Sequence, residues 1–105
     1  FATEHRCYVV LKGARTVLAT PAGKISINPT GNPGMASGGM GDVLAGILAA
    51  LLGQGLSPEA AMKLAVYLHG FIADRISAER GMLGMIASDI IDGLPAGYRN
   101  LTAAL

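Results

Sequence analysis

Asn28-Pro29-Thr30-Gly31-Asn32-Pro33-Gly34-Met35-Ala36-Ser37-Gly38-Gly39-Met40-Gly41-Asp42 runs without a break into Val43-Leu44-Ala45-Gly46-Ile47-Leu48-Ala49-Ala50-Leu51-Leu52. From Pro29 to Asp42, five of fourteen residues are Gly and two are Pro, a composition suited to a structured loop or to a linker. The loop is favoured, because the segment feeds a stretch that predicts a helix apolar on every face and therefore central to a core. Glycines in front of a helix leave backbone N–H groups uncovered, and the first turn adds unpaired donors and the positive end of the helix dipole. Such a junction holds an anion without needing a cation, and phosphate is the expected guest. Two familiar phosphate loops are excluded: no Gly precedes Lys-Ser or Lys-Thr, and Gly39-Met40-Gly41 has Leu44 where a third Gly would stand.

The flanking sequence supplies the rest of the architecture. Cys7 to Leu11 is a short continuous apolar run closed by Lys12-Gly13, as expected of a strand buried on both faces of a parallel sheet. Thr16 to Thr20 and Ile25 to Asn28 alternate around Pro21-Ala22-Gly23 and predict an antiparallel hairpin at the sheet edge. Gly53-Gln54-Gly55 stops the apolar helix. Ser57, Pro58 and Glu59 start another, with Ala61, Leu64, Ala65, Leu68 and Ile72 toward the core and Lys63 outward. Arg80 to Met85 is expected as a loop, and Ser88-Asp89 begins a short helix through Leu94 that stops before Pro95. The last ten residues are expected to be helical. The elements cannot cover both faces of the first strand, so the sheet must be completed from elsewhere.

Of 105 residues, 15 are Gly and 5 are Pro; hydrophobic types make up 51% and charged ones 14%. Charged residues usually approach a quarter, so much of the surface is small or apolar and suited to burial against other protein. The formal charge of +1 excludes a general basic nucleic-acid surface. The apolar run Val43 to Leu52 is about half of the ~20 residues that cross a bilayer, so no membrane partner is expected. A lone cysteine, Cys7, excludes an internal disulfide or multi-thiolate zinc site and fits a reducing, cytoplasmic setting. The opening Phe1-Ala2-Thr3-Glu4-His5-Arg6 predicts the tail of a helix cut open, with a processed start as the alternative. Residues 1–105 are accordingly expected to be a single partial domain.

Asp42 stands at the mouth of the anion hole. It is either an N-cap carboxylate or a general base that takes a proton from a hydroxyl attacking the bound phosphate. Lys12 is either a solvated strand end or a nucleotide contact. His69, on the core side of its helix, is expected to be a hydrogen-bonded core histidine. Asp74 and Arg75 are expected at a solvated helix end, and Asp89 as an early-helix acid. Met35 and Met40 are expected to pack the loop, and Cys7 to be inert packing.

The run from Asn28 to Asp42, with Tyr67-Leu68-His69-Gly70 downstream and Lys12-Gly13-Ala14-Arg15-Thr16 upstream, resembles the C-terminal signature of the ADP- or ATP-dependent NAD(P)H-hydrate dehydratases. The resemblance extends from about Tyr8 to Pro95. It implies an α/β fold, the C-terminal part of a ribokinase-like nucleotide-binding domain: a mostly parallel sheet, an antiparallel edge hairpin and covering helices. The implied activity is a lyase reaction of metabolite repair, in which hydrated NADH or NADPH loses water through phosphorylation of its hydroxyl and elimination of phosphate. Asp42 matches the family's substrate-contacting catalytic aspartate. Lys12, Gly13, Ala14, Arg15 and Thr16 match one nucleotide-binding segment, and Asn32, Pro33, Gly34, Met35, Ala36, Ser37, Gly38, Gly39, Met40 and Gly41 the other, with Gly38, Gly39 and Gly41 around the transferred phosphoryl group. ADP or ATP is the implied cosubstrate, with Mg2+ bound mainly through its phosphates and no metal ligand in this chain. The implied partners are the N-terminal remainder of the domain and, through the apolar surface, further copies in a homo-oligomer. A ribokinase-like kinase of hydroxymethylpyrimidine or hydroxyethylthiazole type would use the same anion hole, and a non-catalytic nucleotide-binding module would use Asp42 only as a cap.

Overall fold

The computed structural model describes residues 1–103. A single helical turn, α1 (Ala2–His5), ends at Arg6, whose φ of 53° lies in the left-handed region. Three short strands follow, β1 (Val9–Leu11), β2 (Val17–Ala19) and β3 (Ile25–Ile27), in the order β1-β2-β3 with both pairs antiparallel. The expected hairpin is present as β2 and β3, and its turn closes through a bond from the Thr20 N–H to the Lys24 carbonyl at 3.0 Å.

Among the described residues β1 is not buried on both faces and has no parallel neighbour. It pairs antiparallel with β2, and its last residue, Leu11, is 64% exposed. The apolar run gave no information on direction, whereas the connection did: Lys12 to Thr16 is hairpin length, and a parallel crossover needs a dozen residues or more. The register puts Val10 and Leu18 on one face, with Leu18 in the core and Val10 packed against it. The opposite face carries Leu11, Ile25 and Ile27, all exposed.

A 3-10 turn (Pro33–Met35) leads to α2 (Met40–Gly53). This helix begins three residues before the expected Val43, with Gly39 as N-cap at φ 86°. Its buried residues are Met40, Leu44, Ile47 and Leu51. They form one stripe at helical spacing, so the helix is not apolar-buried on every face. Ala45, Ala49 and Ala50 are exposed, and small side chains lose little by it.

α3 (Pro58–Arg80) starts where expected, with the Ser57 hydroxyl accepting the Ala60 N–H at 3.2 Å. Ala61, Ala65, Leu68 and Ile72 are buried and Leu64 partly so, while Lys63 faces out and pairs with Glu59 at 2.9 Å. The helix continues to Arg80, which places Asp74 and Arg75 well inside it rather than at a solvated end. α4 (Ala87–Ala103) also exceeds its expected span and contains Pro95. Packing overrides the proline: a Cβ on Gly93 or Gly97 would stand 2.7 and 2.5 Å from Ile72, so two glycines let α4 lie directly on α3. Of the last ten residues, those through Ala103 are helical and the final two lie outside the described residues. Asp89 is the expected early-helix acid, accepting the Ile86 N–H at 2.9 Å and pairing with Arg80 at 3.3 Å. The Ile86 N–H is the main reason its pKa is lowered.

Candidate active site

The sheet, the loop after β3 and the helices α2 and α3 enclose a cavity of about 460 Å³. Lys12, Gly13, Ala14 and Thr16 line it from the β1–β2 connection, and Asn32, Pro33, Met35 and Ala36 line it from the loop. The two segments singled out for nucleotide therefore form one cavity. Leu44, Val66, His69 and Gly70 complete its helical wall.

The remaining candidates do not line the cavity. Arg15 is exposed and belongs to the same connection. Gly34 packs beneath the loop, where a Cβ would meet the Met82 carbonyl at 2.7 Å. Met40 is a core residue, 3% exposed. Ser37 carries a buried hydroxyl with no hydrogen-bond partner. Gly38, Gly39 and Gly41 are exposed at the start of α2. Nothing lies within 4 Å of a Cβ built on Gly38, and only the Lys12 Nζ, at 4.0 Å, approaches one on Gly41. Lys12 therefore reaches the helix start, although the two are nearly thirty residues apart in sequence.

The first backbone bond of α2 runs from the Val43 N–H to the Gly39 carbonyl at 3.1 Å. A helix starting there leaves the N–H groups of Met40, Gly41 and Asp42 without intrahelical acceptors. Asp42 is exposed in this first turn. Gly39 is the N-cap and no side chain caps the helix, which removes the plain N-cap role from Asp42. Its carboxylate is free of any structural bond among the described residues and stands beside unpaired N–H donors.

His69 is buried in the core as expected, at 2% exposure, but its ring is only half satisfied. Its Nε2 has no hydrogen-bond partner. Burial first, and then the charge of Lys12, push its pKa down to about 4 against a smaller opposing effect of the Met40 carbonyl, so the ring is neutral at pH 7.

The sequence-based reading assigned no structural role to Asn28, Thr30 or Gly70 within their motifs and placed Asp74 at a solvated helix end. Asn28, 7% exposed, donates its amide to the Thr30 carbonyl and hydroxyl at 3.1 and 3.0 Å. Thr30 donates to the Tyr67 carbonyl at 3.0 Å. Gly70 permits that approach, since a Cβ there would stand 2.7 Å from Thr30 Cβ. The Asp74 carboxylate accepts the Gly31 N–H at 3.0 Å and the Asn32 amide at 2.8 Å. For Asp74 the signal was a helix face that spaces it four residues from Gly70, and it became interpretable only once α3 was known to extend past them.

A glycine-rich loop delivering bare N–H groups beside a strand-end lysine makes an anion site, and the solved structures that share the fold place it among ribokinase-like α/β proteins. A solved ribokinase-like superfamily protein from Enterococcus faecalis superimposes with a TM-score of 0.84 at 36% identity, over 94% of this chain and 34% of that one. A structure of the ADP/ATP-dependent NAD(P)H-hydrate dehydratase from Bacillus subtilis, co-crystallized with ATP/Mg2+, gives 0.90 at 37% identity over 94% and 36%. The bifunctional NAD(P)H-hydrate repair enzyme Nnr of Moorella thermoacetica is 54% identical over 101 residues, 96% of this chain and 19% of the relative. Residues 1–96 match the NAD(P)H-hydrate dehydratase family model, and the chain belongs to that family. It spans about a fifth of the bifunctional relative and about a third of the Bacillus subtilis dehydratase.

Proposed function

We propose that this chain is the nucleotide-phosphate and general-base portion of an enzyme that dehydrates hydrated NADH or NADPH at the expense of ADP or ATP. The observation that carries the proposal is the position of Asp42: exposed, uncapped and in the first turn of α2 beside three unpaired N–H groups. A carboxylate there repels phosphate unless it accepts a proton as phosphate receives a new oxygen. In this scheme the terminal phosphoryl group lies over the helix start, with Lys12 and the N–H groups stabilising its charge. The substrate hydroxyl attacks the terminal phosphorus while Asp42 takes its proton, and the P–O bond to the departing AMP (from ADP) or ADP (from ATP) breaks with its electron pair going to the nucleotide. Phosphate then leaves with the C–O electron pair, and loss of a ring proton restores the double bond. Met35, Leu44 and Val66 give the cavity apolar walls suited to the rest of an adenine nucleotide. Among the described residues no group of three His, Cys, Asp or Glu could hold a metal ion, so Mg2+ would be held mainly through the nucleotide phosphates.

The proposal includes an N-terminal remainder that adds parallel strands to the sheet and covers Leu11, Ile25 and Ile27. It also includes a homo-oligomer acting in the cytoplasm. No described helix is long and apolar enough to cross a membrane. The names of the relatives favour dehydration over stable phosphorylation of an alcohol.

The test is the return of NADH absorbance from prepared NADH hydrate, using this chain joined to its N-terminal complement, with ADP, ATP or neither. Recovery only with nucleotide is expected. No recovery from a folded, nucleotide-binding protein would overturn dehydration in favour of a kinase.

A further inference from the structure

Asp74 belongs to no segment of the family signature, yet it touches the nucleotide loop at two points. One carboxylate oxygen accepts the Gly31 N–H at 3.0 Å and the other accepts the Asn32 amide at 2.8 Å. Asn32 is simultaneously committed on its other side, where its Oδ1 accepts the Gly34 N–H at 3.0 Å and opens the 3-10 turn. The side chain of Asn32 is thus a bridge, with its donor end fixed by α3 and its acceptor end fixing Pro33–Met35. Both Asn32 and Met35 line the cavity. One helical turn earlier, Gly70 lets Thr30 settle on α3 and donate to the Tyr67 carbonyl. Residues 67, 70 and 74 fall on one face of α3 at helical spacing, so the helix acts as a rail along which the loop is fastened from Thr30 to Gly34.

We infer that Asp74 is a positioning residue for the nucleotide: its carboxylate sets the geometry of the Asn32–Met35 wall and thereby the affinity for ADP or ATP, without taking part in the chemistry. This rests on the functional reading above. Hydrogen bonds to a charged group are the strong kind, and cutting two of them leaves Gly31 and Asn32 with unpaired donors. The isosteric Asp74→Asn is as informative as Asp74→Ala. An amide at position 74 can still accept from Gly31, but its NH₂ faces the NH₂ of Asn32. Asn32 must then either give up α3 or rotate and abandon the Gly34 N–H.

The experiment is ADP binding by calorimetry together with nucleotide KM and kcat for the wild type, Asp74→Asn and Asp74→Ala, each in the chain joined to its N-terminal complement. Both variants are expected to weaken ADP binding and raise nucleotide KM by about 10- to 100-fold, the equivalent of one or two charged hydrogen bonds, while kcat stays near wild type. Variants that bind ADP as the wild type does would overturn the assignment, whatever happens to Tm. So would a loss of kcat at unchanged nucleotide KM. A wild type that fails to bind ADP would bring down the functional reading and this inference together, an outcome distinct from equal binding by all three proteins.

Discussion

The two halves of the glycine-rich loop are built on opposite plans. From Asn28 to Gly34, Asn28, Thr30, Gly31, Asn32 and Gly34 all engage in hydrogen bonds, three of which reach α3. From Ser37 to Asp42, the Ser37 hydroxyl is unpartnered, no side chain caps the helix, and the space beside Gly38 and Gly41 is open. The first half spends its polar groups on holding a shape. The second keeps its donors unspent, which is what an anion site requires, since a donor already satisfied by protein cannot strengthen when charge develops on a ligand.

Perturbations of either half, and of His69 on the helical wall of the cavity, separate the two plans. The largest expected effect on stability concerns His69. Its pKa is about 4 in the folded protein against 6.5 as its ordinary value, so the unfolded chain binds more protons between these limits. The contribution of the neutral ring is therefore complete above about pH 6.5 and declines as pH falls toward 4, to a total of ~3 kcal/mol. Denaturant titrations from pH 7.5 to 4.5 should show this loss, and His69→Gln should flatten it. An equally steep profile in the variant would mean that the acid sensitivity lies elsewhere.

Gly70→Ala attacks the pinned half. Its methyl group would stand 2.7 Å from Thr30 Cβ, an overpacking that costs ~1–3 kcal/mol. Thermal unfolding should occur at a lower temperature and ADP binding should weaken with it. Gly41→Val attacks the open half. Its Cβ would approach only the Lys12 Nζ, at 4.0 Å, while the branched side chain would crowd the approach to the first-turn N–H groups. Calorimetry should show ADP affinity reduced about tenfold, or ~1.4 kcal/mol, at nearly unchanged Tm. The reverse pattern, a stability loss at Gly41 and a pure binding loss at Gly70, would erase the distinction between the halves.

What the sequence revealed follows the range of the forces involved. The β2–β3 hairpin, the Ser57-Pro58 helix start and the glycine-rich entry into α2 are encoded by neighbours in the chain, and all three are present. The passage of α4 through Pro95 and the role of Asp74 depend on partners distant in sequence, whereas the antiparallel pairing of β1 with β2 is again local, set by the short connection over residues 12–16. Pro95 signals a helix stop unless Gly93 and Gly97 can seat α4 on Ile72. Asp74 looks like a solvated acid unless α3 runs past it and the loop returns to meet it. Asp42 is a mixed case: its neighbourhood announced an anion site, but its release from capping became evident only when the helix was seen to begin at Met40.

The central claim is that Asp42 is a base and not a support, and Asp42→Asn tests it most directly. Asn is isosteric, and the carboxylate makes no capping bond to lose. In the chain joined to its N-terminal complement, Tm and ADP affinity should stay near wild type while nucleotide-dependent recovery of NADH from its hydrate falls by ~10²- to 10⁴-fold, the usual contribution of a general base. Turnover retained within a few-fold of wild type would contradict the account.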